Sequence, residues 1–196
     1  MNKLNVRAGV LFAIILVAAL SKLIFSHFGV YNLSPLVAIA LFGGSQFKNK
    51  RLAYWFPIVA FLISDLAFYL VGKTGFYGVS QFFVYGAILL ITALGTTLQN
   101  PKTIKILGYS LTGSALFWII SNFGVWVASR IPGAIEYEPG LTLGMTYLRA
   151  LPFYNEMSTQ MFRNAFGGDI LYCFLLFVVY ALAQKKNPAL RYSNTL

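Results

Sequence analysis

Six apolar segments, joined by polar connections, account for most of this chain. They lie at about 8–25, 34–47, 52–72, 79–98, 104–128 and 164–184. All but the second are long enough to cross the roughly 30 Å hydrocarbon core of a bilayer as helices. Backbone groups in lipid must be hydrogen-bonded within the protein, and helices achieve this within one segment. The pattern therefore predicts an all-α, polytopic helical membrane protein with a lipid bilayer as its surroundings.

Composition excludes an ordinary soluble domain. Of the 196 residues, 58% are hydrophobic and only 10% are charged, against about 25% charged in a typical soluble domain. Too few polar side chains remain to cover a surface that faces water. Since six segments use nearly the whole length, we expect residues 1–196 to form one transmembrane domain.

The second segment, 34–47, is too short for an ordinary span. Its 14 residues would rise about 21 Å as a helix, so we expect a tilted, re-entrant or partly buried element. Ser34 and Pro35 are typical of a helix start, with Ser34 as the N-cap and Pro35 in the first turn. Gly43 and Gly44 are expected to end the helix or to form a sharp turn.

The basic residues favour one orientation. A net charge of +10 would suggest a nucleic-acid partner in a soluble protein, but in a membrane protein it indicates topology, so no nucleic acid is expected. One set of connections holds ten basic residues and no acid: Lys3, Arg7, Lys48, Lys50, Arg51, Lys102, Lys105, Lys185, Lys186 and Arg191. The positive-inside rule then predicts cytoplasmic N- and C-termini and an even number of crossings, of which six is the most consistent count. An alternative takes the first segment as a signal peptide, although the charge alternation favours a retained span.

The long connection 129–163 is expected outside the cytoplasm. Loops of this length are usually functional or disordered, and its tyrosines and phenylalanine argue against disorder. We expect it to fold as a lid over the outer mouth of the bundle. Pro152 is expected to start a helix that continues into the last span.

Two acids in apolar segments, Asp65 and Asp169, are candidate ligand-binding residues because ionisable groups inside a membrane are costly and usually functional. Counting from the span ends places both roughly 8–10 Å below the outer surface, so they could meet. The alternative is that each is solvated near the interface or caps a neighbouring helix.

An i+4 series on the fifth segment adds Trp118, Asn122 and Trp126. Residues at this spacing share a helix face, and two rings with an amide between them could hold a flat ligand. The alternative makes Trp126 an interfacial residue and Asn122 a helix–helix hydrogen-bonding group. Asn32, at the entry to the short segment, completes the predicted ligand-binding set.

These polar residues gather in the outer half of the membrane, and the inner half is nearly free of them. The asymmetry predicts an outward-facing pocket for a small polar molecule, since a channel needs polar lining at both ends. One histidine, His27, and one cysteine, Cys173, cannot supply a usual zinc set. No metal and no cofactor are expected.

Two resemblances follow from these features. Five full spans plus a short one, small residues such as Gly9 and Ala13 on the first helix, and an outer pocket resemble the substrate-binding S component of energy-coupling-factor vitamin transporters. The string Asn32-Leu33-Ser34-Pro35 through Gly43-Gly44, with Ser64-Asp65, Asn122, Trp126, Pro152-Phe153 and Gly168-Asp169, resembles an uncharacterised family of bacterial membrane proteins.

The S-component resemblance implies a vitamin-like ligand bound near the outer face. It also implies a transmembrane coupling subunit and two cytoplasmic ATPases as partners, because the chain has no GxxxxGK[ST] motif and cannot hydrolyse ATP in that way.

Two other classes of function remain open. A structural or assembly protein without a ligand would explain the small-residue helix faces. An intramembrane enzyme could use Asp65 and Asp169 as a carboxylate dyad. Intramembrane aspartyl proteases, however, use Gly-x-Gly-Asp where this chain has Phe166-Gly167-Gly168-Asp169, and Pro188-Ala189-Leu190 lies beyond the last span. We therefore expect no enzymatic activity.

Overall fold

The computed structural model describes residues 3–76, 78–99, 101–187 and 190, with side chains from residue 6 onward. Within these ranges the chain is helical and contains no strand. The helices are α1 (Lys3–His27), α2 (Leu36–Gln46), α3 (Lys50–Leu70), α4 (Val79–Thr96), α5 (Thr103–Ala128), α6 (Leu143–Arg149) and α7 (Glu156–Lys186). Arg191, Pro188 and Ala189, which entered the sequence analysis, lie outside the described residues.

Five helices, α1, α3, α4, α5 and α7, are long and apolar enough to cross a membrane, and α2 is a shorter apolar helix. This confirms the prediction of a polytopic helical membrane protein with a short second segment. The long helices contact one another in the circular order α1, α3, α4, α5, α7 and surround α2, which packs against all five. Every residue of α2 except Ser45 is buried, so α2 forms the centre of the core.

The bundle has two chemically different ends. We call the end that carries Arg7, Lys48, Lys50, Arg51, Lys102, Lys105, Lys185 and Lys186 the basic end, and the end that carries the segment 129–155 the loop end. Helix α2 runs from the middle of the bundle to the basic end. With 11 residues it rises about 16 Å, so its N-terminus stops well short of the loop end. The space beyond that N-terminus is where the first cavity lies.

The glycine pair of α2 does not end the helix, contrary to the sequence-based expectation. Both glycines lie inside α2, and Phe47 is its C-cap. A Cβ on Gly44 would lie 2.9 Å from the Cα of Gly95 on α4, and one on Gly43 would lie 2.8 Å from Cγ of Pro57 on α3. The pair therefore allows α2 to approach both neighbouring backbones closely, as small residues do in membrane bundles.

The N-terminus of α2 also differs from the prediction. Pro35, not Ser34, occupies the N-cap position, and no side chain of that residue can bond to the helix amides. At the other end, the Arg7 guanidinium donates to the carbonyl of Gln46 at 2.7 Å and to the Tyr180 hydroxyl at 2.8 Å. A cation at the carbonyl end of a helix stabilises it through the helix dipole.

Helix α7 begins four residues later than predicted. The side chain of Asn155 accepts from the backbone N–H of Ser158 and caps the helix, so α7 starts at Glu156 and not at Pro152. Asp169 is 13 residues after Glu156, about 20 Å along the helix. The predicted depth is counted from residue 164, eight residues after that start.

The segment 129–155 packs along α4 and α5. The Tyr147 hydroxyl donates to the carbonyl of Ile119 at 2.8 Å, and Ser80 on α4 donates to Glu136. Arg149 and Glu138 form an exposed ion pair within the segment at 2.8 Å. This Glu138 carboxylate raises the pKa of Arg149 above its usual value. The segment is thus folded onto the side of the bundle.

Candidate functional site

A cavity of about 310 Å³ lies between the N-terminus of α2 and the loop end. Its floor is the first turn of α2, and its walls come from α1, α3, α4, α5 and α7. The residues that decide its chemistry are Lys22, Asn32, Val37, Phe61, Asp65 and Asp169. The structure therefore brings three of the six predicted site residues, Asn32, Asp65 and Asp169, to one cavity.

A buried ion pair forms part of the wall. Nζ of Lys22 on α1 lies 2.7 Å from Oδ1 of Asp65 on α3, and the two side chains are 15% and 2% exposed. The ammonium also lies 4.3 Å from the ring centre of Phe61 and 4.8 Å from that of Phe68. Aromatic faces attract a cation that has been removed from water. Lys22 thus has one carboxylate and two rings as partners.

The second carboxylate oxygen of Asp65 is occupied from α4. It accepts from Nε2 of Gln81 at 2.6 Å and from the Tyr85 hydroxyl at 2.8 Å. Gln81 and Tyr85 are one helical turn apart and so share a face. The carboxylate therefore links α1, α3 and α4, and every one of its oxygens has a donor. Such complete hydrogen bonding is what allows a charge pair to persist in a low-dielectric interior.

Asp169 supplies the cap that the sequence around α2 lacks. Its Oδ2 accepts from the Ser114 hydroxyl on α5 at 2.7 Å, and its carboxylate also accepts from the backbone N–H of Val37. Val37 is the second residue of α2, where the amides have no partner inside the helix. An oxygen acceptor there satisfies one of these amides. The alternative interpretation, in which an acid caps a neighbouring helix, describes Asp169 well.

The cavity is bounded towards the loop end by residues 28–35, which join α1 to α2. Asn32 adopts a left-handed backbone with φ 62°, a conformation that asparagine tolerates better than most residues. Nδ2 of Asn164 on α7 donates to the carbonyl of Tyr31 at 2.8 Å. A Cβ on Gly168 would lie 2.7 Å from the Leu33 side chain. These contacts hold the segment against α7 over the cavity.

The expected lid does not line this cavity. None of the residues 129–155, all of which the structure describes, is among its lining residues. The segment lies against α4 and α5, as described above. Residues 30–34 take the position that the sequence analysis assigned to 129–163.

The three predicted residues of α5 lie elsewhere. Trp118 donates from Nε1 to the carbonyl of Ala150 at 3.3 Å, Asn122 donates to the carbonyl of Trp118 at 2.8 Å, and the Trp126 ring lies 3.9 Å from the Arg130 guanidinium. None of them lines the cavity. Each i+4 step overshoots a full turn by about 40°. The face therefore turns by about 120° between Ser114, which reaches Asp169, and Trp126.

Sequence reasoning missed Lys22, Gln81 and Tyr85. The signal for Lys22 was present, because it is an ionisable residue inside the first apolar segment, and such a residue needs a buried partner. Lys22 precedes the end of α1 by five residues, as Asp65 precedes the end of α3. That equal depth could have suggested the pair. Gln81 and Tyr85 carried no comparable signal.

A second, larger cavity of about 710 Å³ lies at the basic end, between the C-terminus of α2 and helices α4, α5 and α7. Its lining includes Lys48, Lys50 and Gln99 together with Phe174, Val178 and Ala181. The structure thus has a polar-lined cavity at this end as well, which the prediction of an outward-facing pocket did not include. The polar lining here comes from helix ends and connections, which the span-by-span analysis left out.

Within the described residues, no group of three or more His, Cys, Asp or Glu side chains could hold a metal ion. Cys173 is buried and not disulfide-bonded.

Comparison with known proteins places the chain in a family. No curated protein matches it, and no solved structure matches it. The model of a family of unknown function (DUF6580) matches residues 2–190. This match spans nearly the whole chain, which therefore belongs to that family.

Proposed function

We propose that this protein binds a small, vitamin-like polar molecule in the cavity beyond α2 and acts as the substrate-specific subunit of an uptake system in a bacterial plasma membrane. The observation that carries the proposal is a cavity of about 310 Å³ with a buried lysine–aspartate pair in its wall. Ligand pockets typically have volumes of roughly 300–1,000 Å³. An ionisable pair inside a membrane is expensive to retain and is usually tied to function.

The lining favours a polar ligand with an apolar part. Lys22, Asp65 and Asn32 offer a cation, an acceptor and an amide on the polar side, and Phe61 and Phe68 offer ring surface. A few polar groups in an otherwise apolar pocket orient a ligand and select it. The ligand is expected to bind beside the ion pair and to use the remaining hydrogen-bonding positions of Lys22, whose ammonium has three donors.

The proposal includes partners and no chemical step. The sequence has no GxxxxGK[ST] motif, so a transmembrane coupling subunit and ATPases would supply the energy for uptake. Both membrane carboxylates have hydrogen-bond donors in place: Asp65 from Lys22, Gln81 and Tyr85, and Asp169 from Ser114. Carboxylates with these donors favour a structural or binding role over the activation of water, and the proposal therefore includes no enzymatic activity.

A filling variant tests the proposal. Ala165 on α7 lines the cavity, and Ala165→Phe would occupy its space without removing a charged group. Ala115→Phe is the matched control, because Ala115 is exposed on α5 and lines neither this cavity nor the one at the basic end. Native mass spectrometry of gently purified protein would measure the small molecule retained. We expect the wild type and Ala115→Phe to carry it and Ala165→Phe to lose it.

A ligand-free structural or assembly role is the second candidate. It is favoured by one observation, that the polar groups around Asp65 satisfy one another across α1, α3 and α4. In this case the wild type would carry no small molecule, or Ala165→Phe would carry as much as the wild type. Either result would overturn the binding proposal.

A further inference from the structure

The cavity at the basic end is independent of the proposed ligand site and has its own chemistry. We propose that it binds the phosphate-bearing headgroup of an anionic phospholipid, with the acyl chains against α7. Lys48 and Lys50, from the connection between α2 and α3, line it together with Gln99 from the end of α4. The lining from α7 includes an apolar wall formed by Phe174, Val178 and Ala181.

The lysines at this cavity have no acidic side chain beside them in the lining. The chain has five acids, Asp65, Glu136, Glu138, Glu156 and Asp169. None of them lies at the basic end. Asp65 and Asp169 line the cavity near the loop end, and the three glutamates lie in or next to the segment 129–155. Lys48 and Lys50 are exposed, and no acidic side chain among the cavity's lining residues faces them. Two ammonium groups at one cavity, without a carboxylate, favour an anion from outside the chain.

The apolar wall of the cavity favours a lipid. Phe174, Val178 and Ala181 form it, all on α7. They precede Lys186, the last residue of α7, by 12, 8 and 5 positions, which corresponds to depths of about 18, 12 and 8 Å along the helix. Val178 is 52% exposed although it lies inside a span, so no other helix of the described chain covers it. This wall lies at the depth of acyl chains.

The lysines and the apolar wall together favour a lipid over a soluble anion. A free phosphate compound would use the two lysines and leave the apolar wall unoccupied. A phospholipid uses both, since its headgroup lies at the level of the helix ends and its chains follow the helix inward. Basic pockets between helix ends on the cytoplasmic side of membrane proteins commonly bind anionic headgroups.

The test measures lipid retention by the full-length chain. Delipidated protein in detergent would be given phosphatidylglycerol or phosphatidylcholine with the same acyl chains, and bound lipid would be counted by native mass spectrometry. A lysine near an anionic headgroup contributes roughly a fivefold gain in affinity, so the double variant Lys48→Gln/Lys50→Gln should bind phosphatidylglycerol about 30-fold more weakly. Its affinity for phosphatidylcholine should change little.

A matched control removes the same charge from the same end. Lys105 and Lys186 are exposed there and do not line the cavity, so Lys105→Gln/Lys186→Gln should retain phosphatidylglycerol as the wild type does. An equal loss in both double variants would show that binding depends on the overall charge of that end. No loss in either variant would show that binding does not depend on these lysines. Either result would overturn the site.

Two further arms examine the source of the phosphate. Glycerol phosphate at the same concentration should not displace the lipid, since it cannot use the apolar wall. Ala181→Phe, which keeps every charge but narrows that wall, should lower retention of phosphatidylglycerol. Full displacement by glycerol phosphate would show a site for a soluble anion. Normal retention by Ala181→Phe would show that the apolar wall takes no part in binding. Either result would overturn the lipid assignment.

Discussion

At the scale of single residues, the membrane half near the loop end depends on two carboxylates with different tasks. Asp65 binds a lysine and two neutral donors from α4. Asp169 binds a serine hydroxyl and an amide at the start of α2. In both sites, hydrogen-bond donors from neighbouring helices satisfy a carboxyl group that would be unstable in the membrane interior without partners.

The ion pair predicts a characteristic pattern of stability. Lys22→Met leaves Asp65 without its counter-charge and should lower the free energy of unfolding by about 3–5 kcal/mol. The double variant Lys22→Met/Asp65→Leu replaces the pair with apolar groups and should recover much of that loss. Unfolding in detergent followed by circular dichroism measures both. A double variant less stable than the single one would contradict this account.

The cap on α2 predicts a difference between two variants of Asp169. Asp169→Leu removes every acceptor and should destabilise the protein by about 1–2 kcal/mol. Asp169→Asn keeps an amide oxygen that can accept from the Val37 N–H and should lose less. Hydrogen exchange at the Val37 amide reports the cap directly, with faster exchange expected in Asp169→Leu. Equal exchange in the wild type and Asp169→Leu would argue against the cap.

At the scale of elements, α2 determines how the other helices pack. Its positive end faces Asp169, and its negative end faces Arg7. Along its length, Gly43 and Gly44 bring it close to α3 and α4. A helix that is buried on all sides needs both features, because its terminal polar groups have no water and its neighbours leave little room.

Close packing of α2 predicts different effects of alanine at Gly44 and at Gly9. A Cβ on Gly44 would lie 2.9 Å from backbone atoms of Gly95, whereas one on Gly9 would meet nothing within 4 Å. Gly44→Ala should therefore lower the free energy of unfolding by roughly 1–3 kcal/mol or more through overpacking. Gly9→Ala should be neutral or slightly stabilising, since alanine favours helix more than glycine does. Comparable destabilisation by both substitutions would contradict this packing.

At the scale of the whole molecule, the five long helices form a ring around α2, with a cavity beyond each of its ends. The cavity near the loop end contains the ion pair, and the cavity at the basic end contains lysines without acids. This arrangement gives the two faces of the membrane different chemistry.

Orientation can be measured with single cysteines in a Cys173→Ser background. Met157 is 61% exposed at the loop end, and Lys105 is exposed at the basic end. The positive-inside rule predicts that a membrane-impermeant maleimide labels Met157→Cys in intact cells and labels Lys105→Cys only after permeabilisation. The reverse pattern would invert the orientation and the assignment of the cavities to their faces.

Much of the architecture could be predicted from the sequence. The apolar segments, the short second helix and the clustering of basic residues at one end depend on composition over stretches of about 20 residues, and the requirement for backbone hydrogen bonding in lipid converts such stretches into helices. Asp65 and Asp169 could be selected for the same reason, since a charge in an apolar stretch stands out without knowledge of its neighbours.

The tertiary structure decided which groups meet. Lys22 and Asp65 are 43 positions apart, and their contact depends on how α1 and α3 are rotated. The face of α5 turns away from the cavity between Ser114 and Trp126 because 3.6 residues per turn does not match a spacing of four. Gly43 and Gly44 lie inside a helix because two neighbouring helices approach them, which no local signal reveals. Composition thus determined the elements and the clustering of basic residues at one end, whereas helix rotation and packing, which depend on all partners at once, determined the cavities.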